Sequence, residues 1–233
     1  MNARSGTKTG SAVRILRFDR VQRAAHWANA LLFGILMLTA LALYFPSLSA
    51  IVGRRELVAQ IHLWAGLMLP VPIVVSVGGP WGRRMRRDLR RINVWTKDEI
   101  TWLKELGYKA PQVVDKFNPG QKLNAIFVGA SILLMLATGF ILKWFRFFPV
   151  SWRTGATFVH DVVALLIFIA VFGHILFALT HRDSLRSIFK GWVTEAWALR
   201  HAPGWLAEET RAEQERESDG GDLVSSGGIK EPT

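Results

Sequence analysis

The sequence predicts an all-α membrane protein: a four-transmembrane-helix bundle with amphipathic interfacial helices and both termini cytoplasmic. Three observations carry this. Half of the 233 residues are hydrophobic. Four stretches, roughly 27–46, 57–79, 123–143 and 156–180, are apolar for about 20 residues each, enough to cross a hydrocarbon core of ~30 Å at ~1.5 Å per residue. The net charge of +11 lies in blocks beside those stretches.

The blocks orient the bundle. Arg14, Arg17, Arg20 and Arg23 precede the first stretch, and Arg83, Arg84, Arg86, Arg87, Arg90 and Arg91 follow the second. Arg182, Arg186 and Lys190 follow the fourth. The other two connections carry only Arg54, Arg55, Arg146 and Arg153. Basic residues accumulate on the cytoplasmic side, so both termini and the long middle connection are expected there. The same argument makes these arginines membrane-flanking and excludes nucleic acid as a partner. The first stretch reads as a retained helix, not a cleavable signal: Tyr44, Phe45 and Pro46 end it where a small-residue cleavage site would stand.

The chain has no cysteine. No disulfide staples it, no Cys-x-x-Cys-His attaches a heme covalently, and no cysteine-ligated iron–sulfur cluster resides in it. If the chain handles electrons, another subunit delivers or collects them.

Along the chain, residues 1–12 are small and polar and read as a disordered N-terminal tail. Residues 13–206 form the membrane domain. Residues 207–233, rich in Glu, Gly and Ser, read as a disordered C-terminal tail. Pro70 and Pro72 remove backbone donors and should kink the second span. Thr96-Lys97-Asp98-Glu99 is a capping-box pattern, followed by Ile100, Leu103 and Leu106 at helical spacing. A short amphipathic helix at the membrane surface is expected there. Leu185, Ile188, Phe189, Trp192, Ala196 and Leu199 make a second apolar stripe, expected to lie as a helix in the interface.

Histidine inside lipid is costly and usually functional. His160 and His174, fourteen residues apart in the fourth stretch, return to within about 40° on one helical face and lie about 21 Å apart along it. His62, early in the second span, is level with His160 on the outer side. His26, at the start of the first, is level with His174 on the inner side. One helix thus supplies a histidine to each of two layers, and two other helices complete the pairs. Neutral imidazole is a good axial ligand for heme iron, and two per iron leave no open site for oxygen. Such a heme carries electrons. Zinc wants about four ligands near one point, which these pairs do not supply. A proton relay in a channel or transporter is the rival from a different class, yet Asp161 is the only clear carboxylate in the spans. A purely structural anchor is a further alternative. His181 and His201 are assigned no ligand role; the former suits a helix C-terminus.

Asn118-Pro119-Gly120-Gln121-Lys122 is a turn leading into the third span. Its amide side chains lie at the level of His174, where a quinone headgroup would need hydrogen-bond partners for its carbonyl oxygens.

These residues resemble a known family, the gamma (cytochrome b556) subunits of membrane-bound respiratory formate dehydrogenases. The resemblance covers roughly residues 14–206. It rests on Arg23-Ala24-Ala25-His26-Trp27, on His62, on Asn118-Pro119-Gly120-Gln121-Lys122, and on His160 with His174. Pro119 stands where another small residue is common. The resemblance implies two heme b groups, held by His62 with His160 and by His26 with His174, in a multi-pass protein of the bacterial inner membrane. It implies a quinone site at Asn118, Gly120, Gln121 and His174, with menaquinone or ubiquinone as acceptor. It implies an iron–sulfur (beta) subunit feeding the outer heme and a molybdenum- or tungsten-containing catalytic (alpha) subunit that oxidises formate. Formate chemistry itself would lie outside this chain, which would transfer electrons and reduce quinone; a higher oligomer is compatible with this. The two histidines of the fourth span also occur in related cytochromes of hydrogenases and thiosulfate reductases. The cytochrome b subunit of a [NiFe] hydrogenase, or of another molybdoenzyme, is therefore the alternative within the same class.

Overall fold

In the computed structural model, residues 13–105 and 115–226 are described. The order is β1 (Arg14–Leu16), α1 (Arg20–Tyr44), α2 (Pro46–Val52), α3 (Arg55–Met68), α4 (Val71–Gly78), α5 (Arg83–Asn93), α6 (Lys97–Lys104), α7 (Pro119–Lys143), α8 (Val150–Thr180), α9 (Arg182–Lys190), β2 (Trp192–Thr194), α10 (Glu195–His201) and α11 (Pro203–Ser226). Among the described residues, four helical stretches are long and apolar enough to span a membrane. They are Arg20–Tyr44, Arg55–Gly78, Pro119–Lys143 and Val150–Thr180, with mean hydropathies of 1.8, 1.8, 2.4 and 2.9. An all-α multi-pass membrane fold is thereby established. Helices dominate because lipid offers backbone groups no partners, so each span must satisfy its own.

The second span is broken where the prolines predicted. α3 ends at Met68, the Leu69 amide donates to Gly66 O at 3.2 Å, and α4 resumes with Val74 N on Pro70 O at 3.0 Å. Basic side chains then close the helix ends, where unpaired carbonyls carry partial negative charge. Arg55 Nη1 donates to Leu43 O at 2.8 Å, in the last turn of α1. Arg86 Nη1 donates to Val77 O at 2.6 Å and Gly79 O at 3.0 Å beyond α4. The Lys122 Nζ, in the first turn of α7, donates to Val94 O at 2.9 Å.

The chain divides into two compact units. The larger, residues 16–94 and 120–192, holds nearly all of the four spans. Its polar end is clasped by a buried network. Asp19 and Gln22 form a capping box at the start of α1, and Gln22 Nε2 also reaches Asp88 Oδ2 of α5 at 2.6 Å. Arg17 is 3% exposed. Its backbone N–H and that of Phe18 both donate to Gly191 O, at 2.8 and 3.0 Å. Burial lowers the Arg17 guanidinium to about 10, an effect that the Asp88 carboxylate opposes, so it stays charged at neutral pH.

The smaller unit, residues 13–15, 95–119 and 193–226 of the described chain, is built on Val193, Ala198, Ala202, Trp205 and Leu206, with Ile15 and Trp197 against them. Trp205 is fully buried. Thr96 and Glu99 form the expected capping box of α6, with Glu99 N on Thr96 Oγ1 at 3.2 Å and Thr96 N on Glu99 Oε2 at 2.9 Å.

Three expectations change. The stripe from Leu185 to Leu199 is not one interfacial helix: Gly191, at φ +88°, terminates α9, and β2 follows, paired with β1. Val193 and Ala198 then enter the small core instead of facing lipid. The stretch beyond residue 206 does not begin a disordered tail, because α11 continues through Ser226. Glu, Ala, Arg and Gln are good helix formers, and Trp205 and Leu206 anchor its start. The third change is an addition: the arginine block Arg83–Asn93 is itself a helix, α5. The expected tail at 1–12, the stripe residue Leu106, and residues 227–233 lie outside the described residues.

Gly191 makes a testable demand. A Cβ there would meet Phe18 O at 2.7 Å, and its left-handed backbone alone disfavours an L side chain by about 1–2 kcal/mol. Gly191→Ala should lower the thermal midpoint in detergent, whereas Gly155→Ala, with open space around the added methyl, should not. Equal midpoints would show that the Arg17–Gly191 clasp contributes nothing to stability.

Candidate functional site

The ligand candidates are set by helical register. On α8, Arg153, Ala156, His160, Val163 and Ile167 follow one another at spacings of three and four, and Ala156, Val163 and Ile167 are the buried residues of that helix. His174 continues the register seven residues beyond Ile167. On α3, Val58 and Ala65 are buried on either side of His62 at the same spacing. On α1, Ala25 is buried beside His26. Short side chains flank the histidines: Ala25, Ala65 and Ala156 are each 5–7% exposed. Gly139 of α7 lies against His160, where an added Cβ would stand 3.7 Å from Cε1.

The histidines meet in the pairs that the sequence layers predict. The ring centroids of His26 and His174 are 6.3 Å apart, tilted by 54°. Those of His62 and His160 are 6.4 Å apart, tilted by 60°. Two imidazoles bound to opposite sides of one metal, each through a metal–nitrogen bond of about 2 Å, have ring centres about 6 Å apart. Both pairs fit that separation. Along α8 the two levels are about 21 Å apart. Among the described residues no three His, Cys, Asp or Glu side chains gather around one point. The chemistry on offer is therefore two separate two-imidazole sites, stacked across the membrane.

The two pairs differ in what surrounds them. Thr39 Oγ1 of α1 lies 2.8 Å from His62 Nδ1, and Thr138 Oγ1 of α7 lies 2.8 Å from His160 Nδ1. The His26 ring instead packs edge-on against Trp27, with centroids 5.5 Å apart, and Trp27 packs on Phe189 at 4.8 Å. Two further polar atoms stand near these sites. Asn29 Oδ1, one turn beyond His26, and Arg153 Nε, two turns before His160, are buried without a hydrogen-bond partner among the described residues. Sequence reasoning missed Thr39, Thr138, Asn29 and Arg153. Helical spacing from the histidines would have flagged Asn29 and Arg153; the threonines sit on other helices and carry no local signal.

Gly120 and Gln121 occupy the first turn of α7, and Asn118 immediately precedes it. Pro119 is fully buried between them. Asn118 falls in the smaller unit, while Gly120, Gln121 and His174 fall in the larger. His181 caps the end of α8, with Nδ1 donating to Phe177 O at 2.9 Å and its ring stacked on Phe177. His201 packs beside Trp197 with centroids 5.0 Å apart. Neither joins a pair.

A family model described as prokaryotic cytochrome b561 matches residues 17–191, a segment that contains all four paired histidines. The chain belongs to this family. A b-type cytochrome carries heme b, so this chain is a multi-pass membrane cytochrome that transfers electrons. Its relatives narrow the group. It is 28% identical over 214 residues to the formate dehydrogenase cytochrome b556 subunit of Haemophilus influenzae, covering 88% of this chain and 87% of that protein. It is 25% identical over 219 residues to the nitrate-inducible formate dehydrogenase cytochrome b556(Fdn) subunit of Escherichia coli, covering 89% and 97%. The cytochrome b556(fdo) subunit of the same organism's formate dehydrogenase is 26% identical over 215 residues, covering 87% and 96%.

The closeness of Gly139 to His160 gives this cytochrome a test of its own. Gly139→Ala adds only an ordinary contact and should leave heme b per polypeptide unchanged. Gly139→Leu should lower it, as measured by the reduced-minus-oxidised alpha band. Full heme content in the leucine variant would show that no tight contact exists there.

Proposed function

We propose that the chain is the di-heme b, quinone-reducing membrane subunit of a formate dehydrogenase. The observation that carries this is the pair of histidine pairs, with ring centroids 6.3 and 6.4 Å apart, sharing one helix. His62 and His160 hold one heme and His26 and His174 the other. Heme b at each site supplies one-electron transfer without an open coordination position. Two imidazoles per iron would leave no open position for oxygen. Arg153, with its Nε buried and without a hydrogen-bond partner among the described residues, suits the carboxylates that heme b carries.

The arginine-flanked ends support an orientation with both termini cytoplasmic in a bacterial inner membrane. The His62–His160 pair then lies on the outer side. An iron–sulfur subunit, itself served by a molybdenum or tungsten catalytic subunit, donates electrons there. The chain's lack of cysteine is in keeping with a separate donor. The heme held by His26 and His174 would take these electrons one at a time and pass them to a menaquinone or ubiquinone. Asn118, Gly120, Gln121 and His174 line the quinone's place. The amides of Asn118 and Gln121 hydrogen-bond its carbonyl oxygens, and two protons from the cytoplasm complete the quinol. Electrons moving inward and protons taken from inside together conserve energy as membrane potential. The names of the relatives favour formate dehydrogenase over a hydrogenase as the parent complex.

The histidine assignment predicts separable losses. His62→Ala or His160→Ala should leave about half of the heme b per chain, and His26→Ala should remove the other half. Loss of all heme from each variant would overturn the two-site reading. For the acceptor site, Asn118→Ala or Gln121→Ala should slow quinone reduction by tenfold or so, the scale of one lost hydrogen bond of about 1 kcal/mol or more, with heme content normal. Unchanged turnover in both variants would overturn it.

A further inference from the structure

We propose that Thr39 and Thr138 are positioning residues that fix the tautomer of His62 and His160 and lower the reduction potential of that heme relative to its partner, so that electrons fall from the His62–His160 site to the His26–His174 site. The proposal rests on the two-heme reading above and adds to it two residues and the source of the potential difference.

A threonine hydroxyl has a single hydrogen to donate. Thr39 Oγ1 lies 2.7 Å from Ile35 O and 3.1 Å from Leu36 O in its own helix. Thr138 Oγ1 lies 2.8 Å from Leu134 O and 3.2 Å from Met135 O. Carbonyl oxygens only accept, so each hydroxyl spends its proton on the backbone. With the proton so placed, each Oγ1 is an acceptor toward the imidazole, and His62 and His160 are assigned the tautomer in which Nδ1 donates. A neutral ring protonated at Nδ1 keeps its lone pair on Nε2, the nitrogen left for iron. Back-bonding to the preceding turn is ordinary for a threonine in an apolar helix. Two such threonines on two different helices, each also 2.8 Å from a ring nitrogen of one histidine pair, is a built arrangement.

The arrangement has a twofold character. The hairpin of α1 and α3 supplies Thr39 and His62; the hairpin of α7 and α8 supplies Thr138 and His160. Four helices thus converge on one level, two giving ligands and two giving acceptors. At the other level, neither the His26 ring nor the His174 ring has a hydrogen bond among the described residues. Their surroundings are aromatic and apolar, with Trp27 edge-on to His26.

That difference has an electrochemical consequence. An imidazole that donates from its far nitrogen is a more basic ligand and better stabilises the more positive metal state. Both axial ligands at the His62–His160 site are strengthened in this way. Its ferric form is favoured, its potential is lower, and it is the better reductant of the two. In the transfer, the His62–His160 heme is oxidised by one electron and the His26–His174 heme is reduced by one. No proton need cross between them.

The test uses the purified wild-type complex with Thr39→Val, Thr138→Val, the double variant, and Thr→Ser at each position. Valine keeps the shape and removes the acceptor; serine keeps the acceptor. Heme b per chain, the two midpoint potentials, and the low-spin electron paramagnetic resonance of each heme are measured. The component that disappears in His62→Ala identifies the site. We expect the valine variants to raise the midpoint of that component, the lower of the two in wild type. They should also shift its g values and leave the other component in place. The double variant should shift it further, and serine should restore the wild-type values. Loss of that heme in valine but not serine variants also supports the role of the hydroxyl. Equal heme loss in valine and serine variants overturns it, as do two bound hemes with unmoved midpoints and g values. Fewer than two b hemes per chain in the wild type would instead overturn the two-heme reading on which this rests.

Discussion

The structure depends on the requirement that two imidazoles face each other, at two levels, across a gap of about 6 Å inside lipid. α8 enforces both levels at once. Its 31 residues are continuous helix, so His160 and His174 cannot change their separation or their relative angle without breaking backbone hydrogen bonds. In lipid those bonds have no substitute. The partners, His62 on α3 and His26 on α1, must then be carried to matching heights by separate helices. The close packing of α1 with α3 and α4 does this. The proline break at Leu69–Pro70 falls after His62, so this histidine sits on unbroken helix.

Four polar side chains of the spans stand at or near the histidine pairs. Thr39 and Thr138 touch the rings of one pair; Asn29 and Arg153 lie one or two turns from His26 and His160. The outward positions are apolar and open, as at Leu38, Leu133, Phe158 and Phe172, which are 65–70% exposed. Burying a polar group without a partner disfavours folding by a few kcal/mol. The hydroxyls beside one pair and the Trp27 ring beside the other make the two sites chemically unequal although each is a pair of histidines.

The ends of the bundle use charge differently. Arg55, Arg86 and Lys122 bond to backbone carbonyls near helix ends, a task that water performs in a soluble protein. Arg17 is drawn inside with Asp88 and Gln22, and its backbone meets Gly191. Basic residues here are thus partly flanking charge and partly structural fasteners. A count of arginines along the chain sees only the first role.

The four spans, the break at the prolines, the capping box at Thr96 and Glu99, and the two histidine pairs were legible in the sequence. Each is a local or periodic property. Span length follows from lipid thickness, ligand register from 3.6 residues per turn, and a cap from a spacing of three. The end of α9 at Gly191, the helix beyond residue 206 and the hydroxyls beside His62 and His160 were not legible in this way. Gly191 looks like any glycine until Phe18 O stands where its Cβ would be. Thr39 looks like any threonine in an apolar helix until α3 brings His62 Nδ1 to its oxygen. By itself, then, the sequence determined the number of spans and which histidines share a level, because helix geometry is the same in every helix. Only the tertiary structure decided what each ring's second nitrogen touches, because that contact joins residues 22 or 23 positions apart on different helices, and no spacing rule within one helix reaches across to another.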